Sequence, residues 1–220
     1  MRVVIAGGHG KIALQLAGLL HIRQDSAVGL IRNPQHAADV RDAGAEPVLR
    51  DLESASVDEL AGELAGADAV VFAAGAGPGS GAARKDTVDR AASALLADAA
   101  QAAGVRRFLQ VGSMGVDRPE DPRHDEVFSA YLLAKKAAED DLRARDLDWT
   151  ILRPGKLTDE PPTGRVRLAP PPVDRGEITR ADVAAVLAAL LDEPGTAGLT
   201  LELVGGEQPV ADAVHEVAGH

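Results

Sequence analysis

The chain has 220 residues, a formal net charge of −11 and no cysteine, with acidic and basic residues mixed along its length. That charge, without a basic block, argues against nucleic acid or an anionic membrane as partner and leaves a small-molecule substrate or another protein. The missing cysteine excludes disulfides, thiolate catalysis and cysteine-held metal, while the first apolar run is too short for a signal peptide and no run reaches spanning length.

The expectation is therefore a cytoplasmic single domain, monomer or homodimer. Short aliphatic runs alternate with alanine- and leucine-rich stretches of helical period, the βαβ signature of a parallel sheet. A strand over 2–6 leads into a helix over 11–23, with Ile12, Leu16, Leu19 and Leu20 on one face. Strands follow at 27–31, 46–50, 69–73, 107–111 and 148–152, separated by helices at 34–43, 56–64, 86–103 and 128–146. Asn33-Pro34 reads as a helix cap followed by proline at the first helical position, and Gly44 and Gly104 as helix stops. After Pro154 the prolines at 161–162 and 170–172 predict a stiff, irregular segment, then a helix over 180–191, a strand over 200–204 and a last helix near 210–218. The pattern gives a Rossmann-like doubly wound α/β fold: a core over 1–155 and a C-terminal extension over 156–220 that shapes one wall of a substrate cleft.

The stretch "GGHGKIA" joins the first strand to the first helix. Gly7, Gly10 and Ala13 have the spacing of a dinucleotide-binding turn, in which bare backbone and a helix N-terminus receive a pyrophosphate. Gly7, Gly8, His9, Gly10, Lys11 and Ile12 are thus candidate cofactor contacts. The second strand ends at Arg32 with no acid at its tip. An arginine there suits a 2′-phosphate, which favours NADP(H) over NAD(H); the plainer reading is a solvated charge beside the Asn33 cap. Asp51 and Leu52 follow the third strand, where they meet the adenine edge and face or simply cap a turn.

The glycine turn, "GLIRNP", "RDLES", "VVFAAGAG", "RFLQVGSMG", "YLLAKKAAEDDLRARDLDWTILRPGKL" and "ITRADVA" together resemble the atypical short-chain dehydrogenase/reductases, the branch with NmrA-like proteins and flavin/biliverdin reductases. The resemblance implies that Ala73, Ala74 and Gly75 line the ribose side of the cofactor and that Pro154, Gly155 and Leu157 border the nicotinamide. Tyr131 and Lys135 lie four residues apart on one helix, with Ser113 just past the fifth strand, which looks like the Ser, Tyr-x-x-x-Lys set of that superfamily. Tyr131 would deliver a proton, Lys135 would assist it and hold ribose hydroxyls, and Ser113 would orient a carbonyl. Against this stands a core tyrosine and a turn serine bonded to its own backbone. The six histidines show no metal-ligand spacing, His124 falls in a substrate-side loop, and Glu139-Asp140-Asp141 reads as a solvated helix face. The expected activity is hydride transfer to a small carbonyl, quinone or flavin-like acceptor. The alternatives are a non-catalytic NAD(P)-binding sensor and an NAD-dependent epimerase.

Overall fold

A computed structural model describes residues 1–75, 86–121 and 125–219. The strands that form the cofactor half are β1 (Arg2–Ala6), β2 (Ser26–Ile31), β3 (Ala45–Leu49), β4 (Ala69–Phe72), β5 (Arg107–Val111) and β6 (Asp148–Pro154). They run parallel in the order β3-β2-β1-β4-β5-β6. Because β1 lies between β2 and β4, successive crossovers leave it toward opposite edges, and a crevice opens at the carboxyl ends of β1 and β4. Most of the candidate site residues discussed below line that crevice.

Strand side chains alternate between two cores. Val3 and Ile5 face one with α1 (Lys11–Ile22) and α2 (Ala37–Asp42); Val4 and Ala6 face the other with α3 (Val57–Leu64), α4 (Ala92–Ala103) and α5 (Glu126–Arg143). Phe72 and Phe108 fill the second core, where small alanines of α4 leave room for them. A π-helical turn, Asp86–Ala91, precedes α4, so the helix expected from 86 begins as a wider coil.

The tail is more ordered than its prolines suggest. It contains β7 (Lys156–Thr158), β8 (Arg165–Ala169), β9 (Glu177–Thr179), β10 (Leu199–Gly205) and β11 (Gln208–Pro209), with α6 (Arg180–Leu191) and α7 (Val210–Val217). β10 extends the parallel sheet beside β6, and β8 adds to it antiparallel. The alternation Val166, Leu168 inward and Arg165, Arg167 outward is the period-two signal that the neighbouring prolines obscured. Thus the extension completes the sheet as well as walling a cleft. α6 packs on α1, and the buried Asp182 accepts from the Thr163 and Gly164 amides at 3.1 and 2.9 Å, tying the proline segment to this helix.

Thr179 caps α6 by accepting from the Asp182 amide at 2.9 Å. Thr179→Ala is expected to lower stability by about 1 kcal/mol, read as a lower urea midpoint with unchanged slope.

A second difference concerns Glu139, which is fully buried rather than solvated. Its carboxylate receives Arg153 at 2.6 Å and Arg143 at 2.9 Å. Asp140 alone of the acidic run keeps to the exposed face.

Candidate functional site

The three glycines of the first turn have different reasons to be bare. Gly7 sits at φ 79°, and a Cβ there would lie 2.6 Å from Ala74 Cα; at Gly8 it would lie 2.6 Å from Gly29 Cα. At both, the protein's own backbone, just past β4 and within β2, leaves no room for a side chain, a reason for bareness that stands beside any role in a dinucleotide turn. Gly10 differs. It is extended at φ −63° and ψ 147°, and a Cβ would press only on Gly7 O at 3.2 Å.

The Gly10 amide donates to Gly7 O at 2.8 Å, and the first bond inside α1 is Leu14 N to Gly10 O at 2.9 Å. The amides of Lys11, Ile12 and Ala13 therefore precede any intrahelical partner. Gly10 supplies no side-chain cap, and the first turn carries no acid. An uncapped helix start in a backbone cradle fits the pyrophosphate of a dinucleotide.

Beside the turn, a cleft of about 300 Å³ is lined by Arg32, Asp51 and Leu52 together with His9, His36 and Gly10. Arg32 reaches Glu53 at 3.3 Å, an exposed contact worth little by itself. Asp51 Oδ1 accepts from the Glu53 amide at 3.0 Å, so it does cap its turn while facing the cleft. The His9 ring stacks on His36 with centroids 3.6 Å apart, and its Nε2 bonds Asp39 at 2.7 Å. His36 was not singled out from the sequence. The Lys11 side chain bonds Asp159 at 2.6 Å, and Arg50, which also lines this cleft, is held by Glu59 and Glu63.

Ala73, Ala74 and Gly75 are shared between this cleft and a second one of about 510 Å³. Ile12, Pro154, Gly155 and Leu157 line the second cleft, and so do Ser113, Tyr131 and Lys135. The candidate catalytic set thus meets in one cavity, continuous with the strip of small residues that leads back to the glycine turn. Ser113 Oγ donates to Met114 O at 3.2 Å. Tyr131 is half-buried, stacked on Phe128 with centroids 5.8 Å apart.

Lys135 is 4% exposed, with Nζ 5.9 Å from the Tyr131 ring centre. It donates to Val111 O at 3.0 Å and to Ala74 O at 3.5 Å. Asp89, 0% exposed, faces it at 3.2 Å. Burial pulls the ammonium down, but the negative charges of Tyr131 when ionised, Asp89 and Glu139 outweigh it and hold the pKa above the ordinary lysine value. Asp89 was missed in the sequence because nothing in its local pattern links it to a lysine on another helix.

Beyond Tyr131 the cavity opens into a recess of about 1010 Å³ that shares Ser113, Tyr131, Pro154 and Gly155 with it. Its outer wall carries Arg118, Arg175 and the tail residues Pro171, Pro172 and Val173. His124 lies outside the described residues. Among the described residues no helix is long and apolar enough to cross a membrane.

Comparison with known proteins agrees with this geometry. The chain is 35% identical over 218 residues, 99% of its length and 100% of the relative's, to the uncharacterized sugar epimerase YhfK of Bacillus subtilis. A solved Bacillus halodurans protein with the provisional name NAD-dependent epimerase/dehydratase is 36% identical, with a TM-score of 0.91 over 98% of this chain and 99% of that one. The oxidoreductase ylbE of Lactococcus lactis, 24% identical, shares the fold at a TM-score of 0.86 over 100% and 98% of the two chains. The NAD(P)H-binding family matches residues 7–194, which take in the glycine turn, both clefts and the Tyr131 helix, and the chain belongs to that family.

Proposed function

We propose that the chain is an NADPH-dependent oxidoreductase acting on a small carbonyl, quinone or flavin-like acceptor. The observation that carries this reading is the meeting of Ser113, Tyr131 and Lys135 in one cavity, between the small-residue strip at Ala73 to Gly75 and the larger recess. When bound along that strip, the nicotinamide supplies a hydride. Tyr131 then gives its phenolic proton to the carbonyl oxygen and recovers one from solvent, so the acceptor gains two electrons and two hydrogens in all. Ser113 Oγ turns from Met114 O to the same oxygen and steadies its developing charge. The recess beyond, walled by the tail, holds the rest of the acceptor.

The test is acceptor-dependent oxidation of NADPH across carbonyls, quinones and free flavins, with absence of oxidation by every acceptor overturning the proposal. A second reading, epimerisation, is favoured by the name of the Bacillus subtilis relative. An epimerase returns the hydride it removes, so it interconverts a sugar with no net change in the dinucleotide. Net oxidation therefore separates the two. A cofactor sensor would bind NAD(P)H and do neither.

The preference for NADPH rests on Arg32 at the adenosine cleft, with the 2′-phosphate displacing the weak Glu53 contact. Arg32→Ala is expected to cost about 1.5–3 kcal/mol of NADPH binding and to leave NADH binding nearly unchanged. Equal losses for both dinucleotides in calorimetric titration would remove the 2′-phosphate from the argument.

A further inference from the structure

The Tyr-x-x-x-Lys pattern assigns Lys135 an ammonium free to serve the phenol and a ribose. The geometry shows it otherwise engaged. An ammonium has three N–H donors, and here two carbonyls, Val111 O and Ala74 O, and the Asp89 carboxylate surround it. A fully buried carboxylate has no reason to sit beneath a cofactor cleft except to meet a charge, because its desolvation is costly unless it is paired. It is also pinned against the small-residue strip: a Cβ on Gly75 would come within 3.2 Å of Asp89 Oδ1.

We propose that Asp89 is a positioning residue for the nicotinamide-side chemistry, holding the Lys135 ammonium at the cleft floor and offsetting its charge, so that Tyr131 faces an ion pair instead of a lone cation. A lone ammonium next to a phenol favours the phenolate, which cannot donate a proton. A balanced pair weakens that pull on the phenolic proton, which the reductive direction needs Tyr131 to keep until it is transferred. This rests on Tyr131 being the proton donor of the proposed function, although its electrostatic content can be measured without any acceptor.

Among the described residues, the other charged groups near the pair have contacts of their own. Glu139, one turn further along α5, is taken up by Arg153 of β6 and by Arg143. Asp125 at the head of α5 lines the same cleft and caps its own helix through the Phe128 amide at 2.7 Å. Arg90, on the turn that carries Asp89, is exposed. Among the described residues, Asp89 is the carboxylate at contact distance from the ammonium.

Tyr131 is the one tyrosine of the chain, so the absorbance of tyrosinate reports its ionisation directly in the protein without cofactor. Lys135→Met should move the ionisation midpoint to higher pH, and Asp89→Asn should move it to lower pH. Asp89→Glu should restore the wild-type midpoint, and Asp89→Asn with Lys135→Met should return it close to that value. A merely structural Asp89 would lower the melting temperature in Asp89→Asn without moving the midpoint, and that result would overturn the proposal. If Asp89→Asn does not fold, the double variant decides: a midpoint as high as in Lys135→Met alone means that Asp89 offsets nothing. Failure of the proposed oxidoreductase activity with the midpoints moving as stated would discard the reaction and keep the ion pair's role.

Discussion

Replacing Tyr131 by phenylalanine is expected to lower the rate of NADPH-dependent carbonyl reduction by about 10²–10⁴-fold, the usual contribution of a positioned general acid. NADPH affinity should stay nearly constant, because the lost hydroxyl addresses the acceptor and the ring remains stacked on Phe128. The change should therefore appear in kcat and kcat/KM together, as for a group that acts in the transition state alone. Lys135→Met should behave differently. It removes a buried cation and its 3.2 Å contact with the buried Asp89 carboxylate, so affinity, stability and rate should all fall. A flavin or quinone acceptor can take its proton from water, so insensitivity of those reactions to Tyr131→Phe, beside a large loss with carbonyls, identifies the acceptor class. Carbonyl reduction unaffected by Tyr131→Phe would discard the proton donor and keep the enzyme.

The contrast between Tyr131 and Asp89 shows what local pattern can carry. Tyr131 and Lys135 are four apart on one helix, a spacing that fixes their common face before any tertiary structure is known. Asp89 reaches Lys135 only because the π-helical turn before α4 packs on α5, a contact between segments that share no periodicity. The parallel sheet was legible for the same reason as the tyrosine and lysine: β1, β2 and β4 are largely aliphatic runs, and β1 to β5 alternate with helical stretches along the chain.

Glu139 was misread because its neighbours Asp140 and Asp141 suggested a solvated acidic face. Helical spacing from Lys135, through Glu139 to Leu142, pointed inward all along, and Arg153 of β6 was the missing partner. In the tail, prolines masked the alternation of β8, although a proline beside a strand limits only its own amide and not the strand's register. For the glycine turn, the structure adds a cause that spacing does not carry: Gly7 and Gly8 are crowded by the protein's own backbone. Spacing cannot distinguish a glycine crowded by backbone from one that faces a ligand.

That distinction makes the last expected result the sharpest test of the cofactor cradle. Gly10→Val should fold, because the backbone at φ −63° and ψ 147° is open to any residue and the nearest atom, Gly7 O at 3.2 Å, has only to yield slightly. Its helix should lose about 1 kcal/mol, since valine is a poor N-cap. Its isopropyl group, however, would stand at the mouth of α1, in front of the Lys11, Ile12 and Ala13 amides, and NADPH and NADH binding should both be abolished in calorimetric titration. Gly7→Ala should do the reverse. A methyl group at φ 79° is strained, and its Cβ would meet the Ala74 backbone at 2.6 Å, where no side-chain rotation can relieve it. Backbone strain and overpacking together come to about 2–6 kcal/mol, a large share of the stability of a domain this size. Gly7→Ala should therefore appear as a fall in the urea midpoint before any question of cofactor arises. A Gly10→Val protein that binds NADPH normally would mean that the uncapped start of α1 is not where the pyrophosphate lies, whereas a Gly7→Ala protein of wild-type stability would contradict the close approach of β4 to the turn.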